Sequence, residues 1–309
     1  MRCIVHIGIE KTGTTSIQRA LSQNRAVLEQ QGVALGWPEE VENSRYLVAY
    51  FREKPDDFWA AREWQSAEDR LSSLEPLMAG LDEEIAKAPP STEAMIFSSE
   101  HFHSRLTEES EIRALADFLG KRFETITIVC FVRPQASTVL SLYSTALRAG
   151  HAVPYRLFAQ NMLGNREYLD HALTLSKWAS AFGEARISVR PYPMRAEEGR
   201  DVRQDFFEAI NMDHLAALLR LEEERANPAL SMLQQLLLYV VNRMAKYPRR
   251  TGITVYRRSG LARWIEASRF LSVLPERKKL VVSITERFKE SNRQVSKRFG
   301  ISPSYWTNG

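Results

Sequence analysis

The chain has 309 residues, 44% of them hydrophobic, with 42 Lys/Arg against 38 Asp/Glu for a formal charge of +4. That length suits one large core, or one core with a small appendage. The mild charge permits a polyanionic nucleotide without demanding nucleic acid, and no apolar run of about 18 residues is present to span a membrane.

Cys3 to Ile7 is short, apolar and β-branched, the pattern of a buried strand. It starts so close to the first residue that no room for a secretory signal is expected. Cys3 and Cys130 are the two cysteines, both in core-strand patterns. Buried free thiols in a reducing cytoplasm are therefore expected.

After the strand come Gly8, Lys11, Gly13 and the hydroxyls of Thr12, Thr14, Thr15 and Ser16. A helical pattern follows, with Ile17, Ala20, Leu21 and Leu28 on one face. Strand, glycine turn and helix together build an anion site. Free N–H groups and the positive end of the helix dipole point at one volume. A nucleotide-triphosphate loop reads G-x-x-x-x-G-K-[ST]. Gly8 and Gly13 keep that spacing, but Thr14 follows the second glycine and the lysine stands two positions before it.

Further along, 32–36 reads as a short edge strand and 43–52 as a short helix. Trp64, Ala67, Leu71, Leu74, Met78, Leu81 and Ile85 give 57–87 a helical stripe, with a kink or break expected at Pro76. Residues 94–99 form the next strand, ending in Glu100-His101-Phe102-His103. Ligands of open α/β sheets bind beyond the carboxyl ends of strands, so Gly8–Lys11, Glu100 and Arg133 are expected along one edge. Glu100 is the leading general-base candidate, with His101 and His103 as competitors. Glu10 is a weaker rival, and His6 is expected to be a hydrogen-bonded core residue.

Residues 125–132 form another buried strand with Arg133 at its end. Pro134 suits the start of a helix running to about Arg148. Val139, Leu140, Tyr143 and Leu147 take its apolar side, and Ser137, Ser141, Ser144 and Arg148 the other. A short helix to about Met162, one helix over 166–182, a strand over 186–192 and a helix over 201–210 follow. Alternating strands and helices predict a three-layer α/β fold, with a mostly parallel sheet covered by helices on both faces. From about residue 227 the chain becomes helical and basic. Asn227-Pro228 starts a helix whose Leu230, Leu233, Leu237, Val240 and Met244 are expected to cover the core. Residues 246–279 carry ten Lys/Arg against Glu266 and Glu276. That segment is a lid over a nucleotide or acidic acceptor, a solvated basic surface, or a nucleic-acid site.

The arrangement Lys11-Thr12-Gly13-Thr14-Thr15-Ser16 resembles the 5′-phosphosulfate loop of sulfotransferases that use PAPS (3′-phosphoadenosine 5′-phosphosulfate). Arg133 with Ser141, eight residues on, resembles that family's 3′-phosphate site. The segments 189–207 and 290–300 also resemble parts of its bacterial members. The resemblance implies a single P-loop-NTPase-like domain over 1–309 that transfers a sulfuryl group from PAPS, without a metal, and releases PAP. The acceptor would be a hydroxyl or amine on a small molecule or glycan, with no nucleic-acid partner. Lys11 would stabilise the leaving group. Thr12 to Ser16 would hold the 5′-phosphate, Arg133 and Ser141 the 3′-phosphate, and Glu100 would take the acceptor's proton. The rival readings are a nucleoside-triphosphate kinase or hydrolase, and a non-catalytic nucleotide-binding module. The displaced lysine and Glu100 stand against them.

Overall fold

The apolar runs at the start of the chain and around residues 94–98 and 125–132 become the inner strands of a five-stranded sheet. The computed structural model describes residues 1–193, 201–219, 230–244, 260–268 and 278–307. Its first third runs β1 (Arg2–His6), α1 (Thr14–Gln23), α2 (Arg25–Gln30), β2 (Val33–Leu35), α3 (Arg45–Phe51), α4 (Asp57–Ala61), α5 (Ala67–Lys87) and β3 (Ala94–Ser98). Then come α6 (His101–Arg105), α7 (Glu109–Gly120), β4 (Thr125–Val132), α8 (Gln135–Arg148), α9 (Tyr155–Gly164), α10 (Arg166–Leu169), α11 (His171–Phe182) and β5 (Ile187–Pro191). Helices complete the chain: α12 (Val202–Ala209), α13 (Asp213–Ala216), α14 (Met232–Met244), α15 (Gly260–Ala267), α16 (Lys278–Arg287) and α17 (Lys289–Phe299).

The strand order is β2-β3-β1-β4-β5, and every pairing is parallel. Cys3, Ile4, Val5 and His6 of β1, and Ile128 to Val132 of β4, are buried without alternation. Both faces of the sheet are therefore covered by helices, as parallel sheets require. The chain leaves β1 towards β2 and β3 on one side and crosses to β4 on the other, so the crevice beyond β1 is the switch point where such sheets bind ligands. A second apolar cluster joins α8, α9 and α10 to α14, α15 and α16 through Val139, Tyr143, Leu238, Ile265 and Ile284.

Several expectations are corrected. The helix at 57–87 does not break at Pro76. It breaks at 62–66, and α5 runs through Pro76, which is exposed. The lost bond of that proline faces water, while Leu74, Met78 and Leu81 pack inward and a Ser66/Asp69 capping box fixes the start. The stripe expected through Leu28 is split between α1 and α2 at Asn24, whose side chain donates to Ala20 O. The helix expected over 166–182 is likewise split at Asp170. That side chain caps α11 by accepting from Leu173 N, and it also accepts from the Ser291 hydroxyl. Residues 109–120, for which no element was predicted, form α7, with Ile112, Leu115 and Leu119 buried.

The stripe expected at α14 is inward only in part: Leu230 is buried and Leu233 and Leu237 pack against the second apolar cluster, but other residues of α14 turn in as well. Gln234, Gln235, Leu238 and Asn242 are buried, whereas Val240 and Met244 are 42% and 76% exposed. The polar residues go inside because carbonyls there need donors. Asn242 donates to Leu147 O and His151 O, and Gln234 to Ile265 O. The Asn227-Pro228 helix start and most of the 246–279 segment lie outside the described residues. Among the described residues no helix is long and apolar enough to cross a membrane, and no group of three or more His, Cys, Asp or Glu could hold a metal ion.

Candidate active site

A cleft of about 390 Å³ opens at the carboxyl ends of β1, β3 and β4. It lies within the range of small-molecule sites. One side is the loop after β1. Gly13 is the N-cap of α1, with φ +76°, and it supplies no capping side chain. The start of α1 thus has no side-chain cap, the kind of helix end at which an anion can bind. The turn needs glycine twice. A Cβ on Gly13 would lie 2.8 Å from the Val202 side chain, and one on Gly8 would land on the Thr14 methyl. Lys11 also has a positive φ, 69°, an uncommon conformation for a side-chain-bearing residue. Its carbonyl accepts a 2.8 Å bond from Arg133 Nη1. Burial pulls the Lys11 ammonium below the usual lysine range, against the pull of Glu10 and Glu100.

Arg133 stands where β4 ends, and its guanidinium carbon is 5.4 Å from the centre of the Tyr192 ring. Burial lowers its pKa, against the nearby Tyr192 and Tyr305. The Tyr305 hydroxyl donates to Val132 O and Tyr192 O, tying the C-terminal tail to the ends of β4 and β5. Ser141, two helical turns from Arg133, lines the same cleft. Its partners on the expected polar face do not. Ser137 and Ser144 are buried, and Ser144 bonds Leu140 O and Leu230 N.

Glu100 and His101 form the opposite wall with Arg105. One Glu100 oxygen accepts from Gln18 Nε2 at 3.0 Å, and the other lies 3.9 Å from His101 Nε2. Gln18 reaches on to Ser98 Oγ at 3.4 Å, and that hydroxyl meets His6 Nδ1 at 2.9 Å. His6 is fully buried, and burial lowers its pKa to about 4. His101 is held below the usual histidine value by burial and by Arg45.

Lys11, Gly13, Thr14, Thr15, Glu100, His101, Arg133 and Ser141 thus meet at one cleft. Glu10, the weaker rival for the base, lines the cleft as well, and the other named candidates do not. Thr12 is buried, with its hydroxyl donating 2.5 Å to Ile9 O, so it braces the loop. Ser16, the third residue of α1, is not among the residues that line the cleft. His103 is buried edge-on to Tyr168, and burial lowers its pKa to about 3. Gln18, Arg105 and Tyr192 were missed. Gln18 follows Thr14 by four residues and Arg105 follows His101 by four, so helical spacing held the clue.

No protein-family model matches the chain. A crystal structure of a sulfotransferase from Alicyclobacillus acidocaldarius superposes with a TM-score of 0.53 over 98% of both chains, at 12% identity. The two chains share a fold. An uncharacterised protein of Archaeoglobus fulgidus is 32% identical over 148 residues, which is 48% of this chain and 38% of that protein. The match therefore spans less than half of either sequence.

Proposed function

We propose that the chain is a sulfotransferase that moves a sulfuryl group from PAPS to a hydroxyl or amine, with a glycan or glycolipid as the favoured class of acceptor. One observation carries this reading. The loop of Lys11 to Thr15, Arg133 with Ser141, and Glu100 face one another across a single cleft, in a fold shared with a solved sulfotransferase. The residues suit the donor's two ends. The first-turn amides of α1 and the hydroxyls of Thr14 and Thr15 form the 5′-phosphate cradle. The Arg133 fork and the Ser141 hydroxyl take the 3′-phosphate, and ADP lacks that group.

In the transfer, Glu100 accepts the proton of the attacking hydroxyl as its oxygen bonds to sulfur. The bond between sulfur and the bridging oxygen breaks, and Lys11 stabilises the charge that collects on that oxygen. Positioning and fixed charge supply most of the rate, as in loose phosphoryl transfer. Gln18 holds one oxygen of Glu100, which leaves the other to face the cleft.

The test is release of PAP from PAPS in the presence of a mixed oligosaccharide acceptor pool, with and without Mg²⁺. Acceptor-dependent release by the wild type, lost in Glu100→Gln, supports the reading. Release of phosphate from ATP in place of PAP overturns it.

A further inference from the structure

Beside the cleft lies a cluster of positive charge for which the donor reading has no use. Arg105 lines the cleft one helical turn beyond His101, and its side chain is 27% exposed. Behind it, Arg45, Arg52 and Arg105 all point at one carboxylate oxygen, Asp56 Oδ2, at 2.7, 3.5 and 3.5 Å. The other oxygen of Asp56 is taken by the amides of Phe58 and Trp59 at the start of α4. The second acid of the group, Asp57, accepts from Arg105 Nη2 at 3.2 Å and stands 3.5 Å from Arg45 Nη2, with its side chain 71% exposed. Water therefore screens its charge.

Three guanidiniums thus share one buried carboxylate and one exposed one. The shortfall shows in the hydrogen bonding. Arg45 is 9% exposed, yet its Nη1 has no acceptor, and the buried Nε of Arg105 stands 3.5 Å from Asp56 Oδ2 without making a hydrogen bond. Native interiors rarely leave such donors unmet. The same wall carries Glu100, whose oxygen lies 3.9 Å from His101. An acceptor hydroxyl presented to Glu100 would bring its neighbouring substituents alongside Arg105.

Resting on the sulfotransferase reading, we infer that Arg105, backed by Arg45 and Arg52, forms a subsite for an oxyanion of the acceptor, a carboxylate or a sulfate ester near the reacting hydroxyl. The guanidinium fork of Arg105 matches either group in two parallel bonds. Selectivity for an acidic acceptor then resides in the α3–α4–α6 junction.

The experiment is calorimetry on the PAP-saturated full chain. The titrants are a hexuronate-containing tetrasaccharide, the matching sulfate ester, and the carboxyl-reduced, unsulfated counterpart. A preliminary titration of PAP alone reports on the donor site separately. We expect at least one anionic tetrasaccharide to bind tenfold or more tightly than the neutral one, and which one does so tells carboxylate from sulfate. Arg105→Gln should erase that difference while PAP affinity holds, and Arg105→Lys should keep part of it. Asp57→Asn, which removes a competing carboxylate, should tighten the anionic ligand severalfold. A brace for the junction alone predicts no such gain. Equal or absent binding of all three, or a preference that survives Arg105→Gln, overturns the subsite while leaving the donor site standing. Failure of PAP to bind overturns both.

Discussion

Gln18 Nε2 donates a 3.0 Å hydrogen bond to Glu100, although 82 residues separate them. Gln18 is 4% exposed on α1, the helix whose N-terminus is the proposed anion cradle, and Glu100 is the N-cap of α6, two residues past the end of β3. One side chain therefore couples the position of the phosphate loop to that of the proposed base. Glu100→Gln should lower turnover by ~10²–10⁴ while PAP affinity stays intact, as for loss of a general base. Gln18→Leu should cost roughly tenfold in turnover, about 1.4 kcal/mol of barrier, again without loss of PAP affinity. Steady-state rates with parallel calorimetry check both, and an active Glu100→Gln enzyme would move the base to His101.

Arg133 ties the end of β4 to the loop after β1, because its Nη1 donates to Lys11 O at 2.8 Å. Arg133→Ala should weaken PAP binding by roughly 1.5–3 kcal/mol through lost charge-assisted bonds. Unchanged affinity by calorimetry would refute the 3′-phosphate role.

The role proposed for Lys11 is to stabilise the charge that builds on the leaving group. Lys11→Ala should therefore cut single-turnover rates more than donor affinity. A loss confined to affinity would mean that the ammonium only binds.

Gly13 has φ +76° and no room beside Val202. Gly13→Ala should cost roughly 1–2 kcal/mol for the left-handed backbone alone, more with the contact. Thermal unfolding of the variant checks this, and an unchanged midpoint would show that the turn adapts.

Stability should fall in mild acid. His6, His103 and His171 are buried, and burial lowers them to about 4, 3 and 4. Unfolded, each takes a proton near pH 6.5, so the unfolded state binds more protons from there down to the folded values. Stability is full above about pH 6.5 and is lost as the pH falls towards 4. The slope is up to about 1.4 kcal/mol per pH unit for each histidine. His103→Leu should shrink the difference in melting temperature between pH 7 and pH 5. An unchanged difference would mean that His103 is already charged in the fold.

The sheet, and the meeting of the glycine loop with Arg133 and Ser141 at one cleft, could be read from the sequence because their signals are local. A glycine loop after a strand, or an arginine at a strand end with a serine two helical turns on, fixes its own geometry. The wall of Glu100 was harder to read. His101 and His103 are two apart on a helix, about 200° around its axis. One facing the cleft therefore puts the other in the core, and spacing alone could not say which. The α14 face was misread in part because Gln234 and Asn242 are buried to cap carbonyls of distant segments, while Gln235 caps Leu230 O just before the helix. Hydrophobic pattern does not report such pairings. The cluster on Asp56 brings together residues from 45 to 105, and only the fold makes them neighbours.

The most direct test of the donor assignment is thermal unfolding of the chain with PAP, ADP and Mg-ATP in parallel. At ~100 times its dissociation constant, PAP should add about 2.7 kcal/mol of stability without a metal. ADP, lacking the 3′-phosphate, should add less. Stabilisation by Mg-ATP above that by PAP would contradict the roles given to Arg133 and Ser141 and favour a nucleoside-triphosphate enzyme.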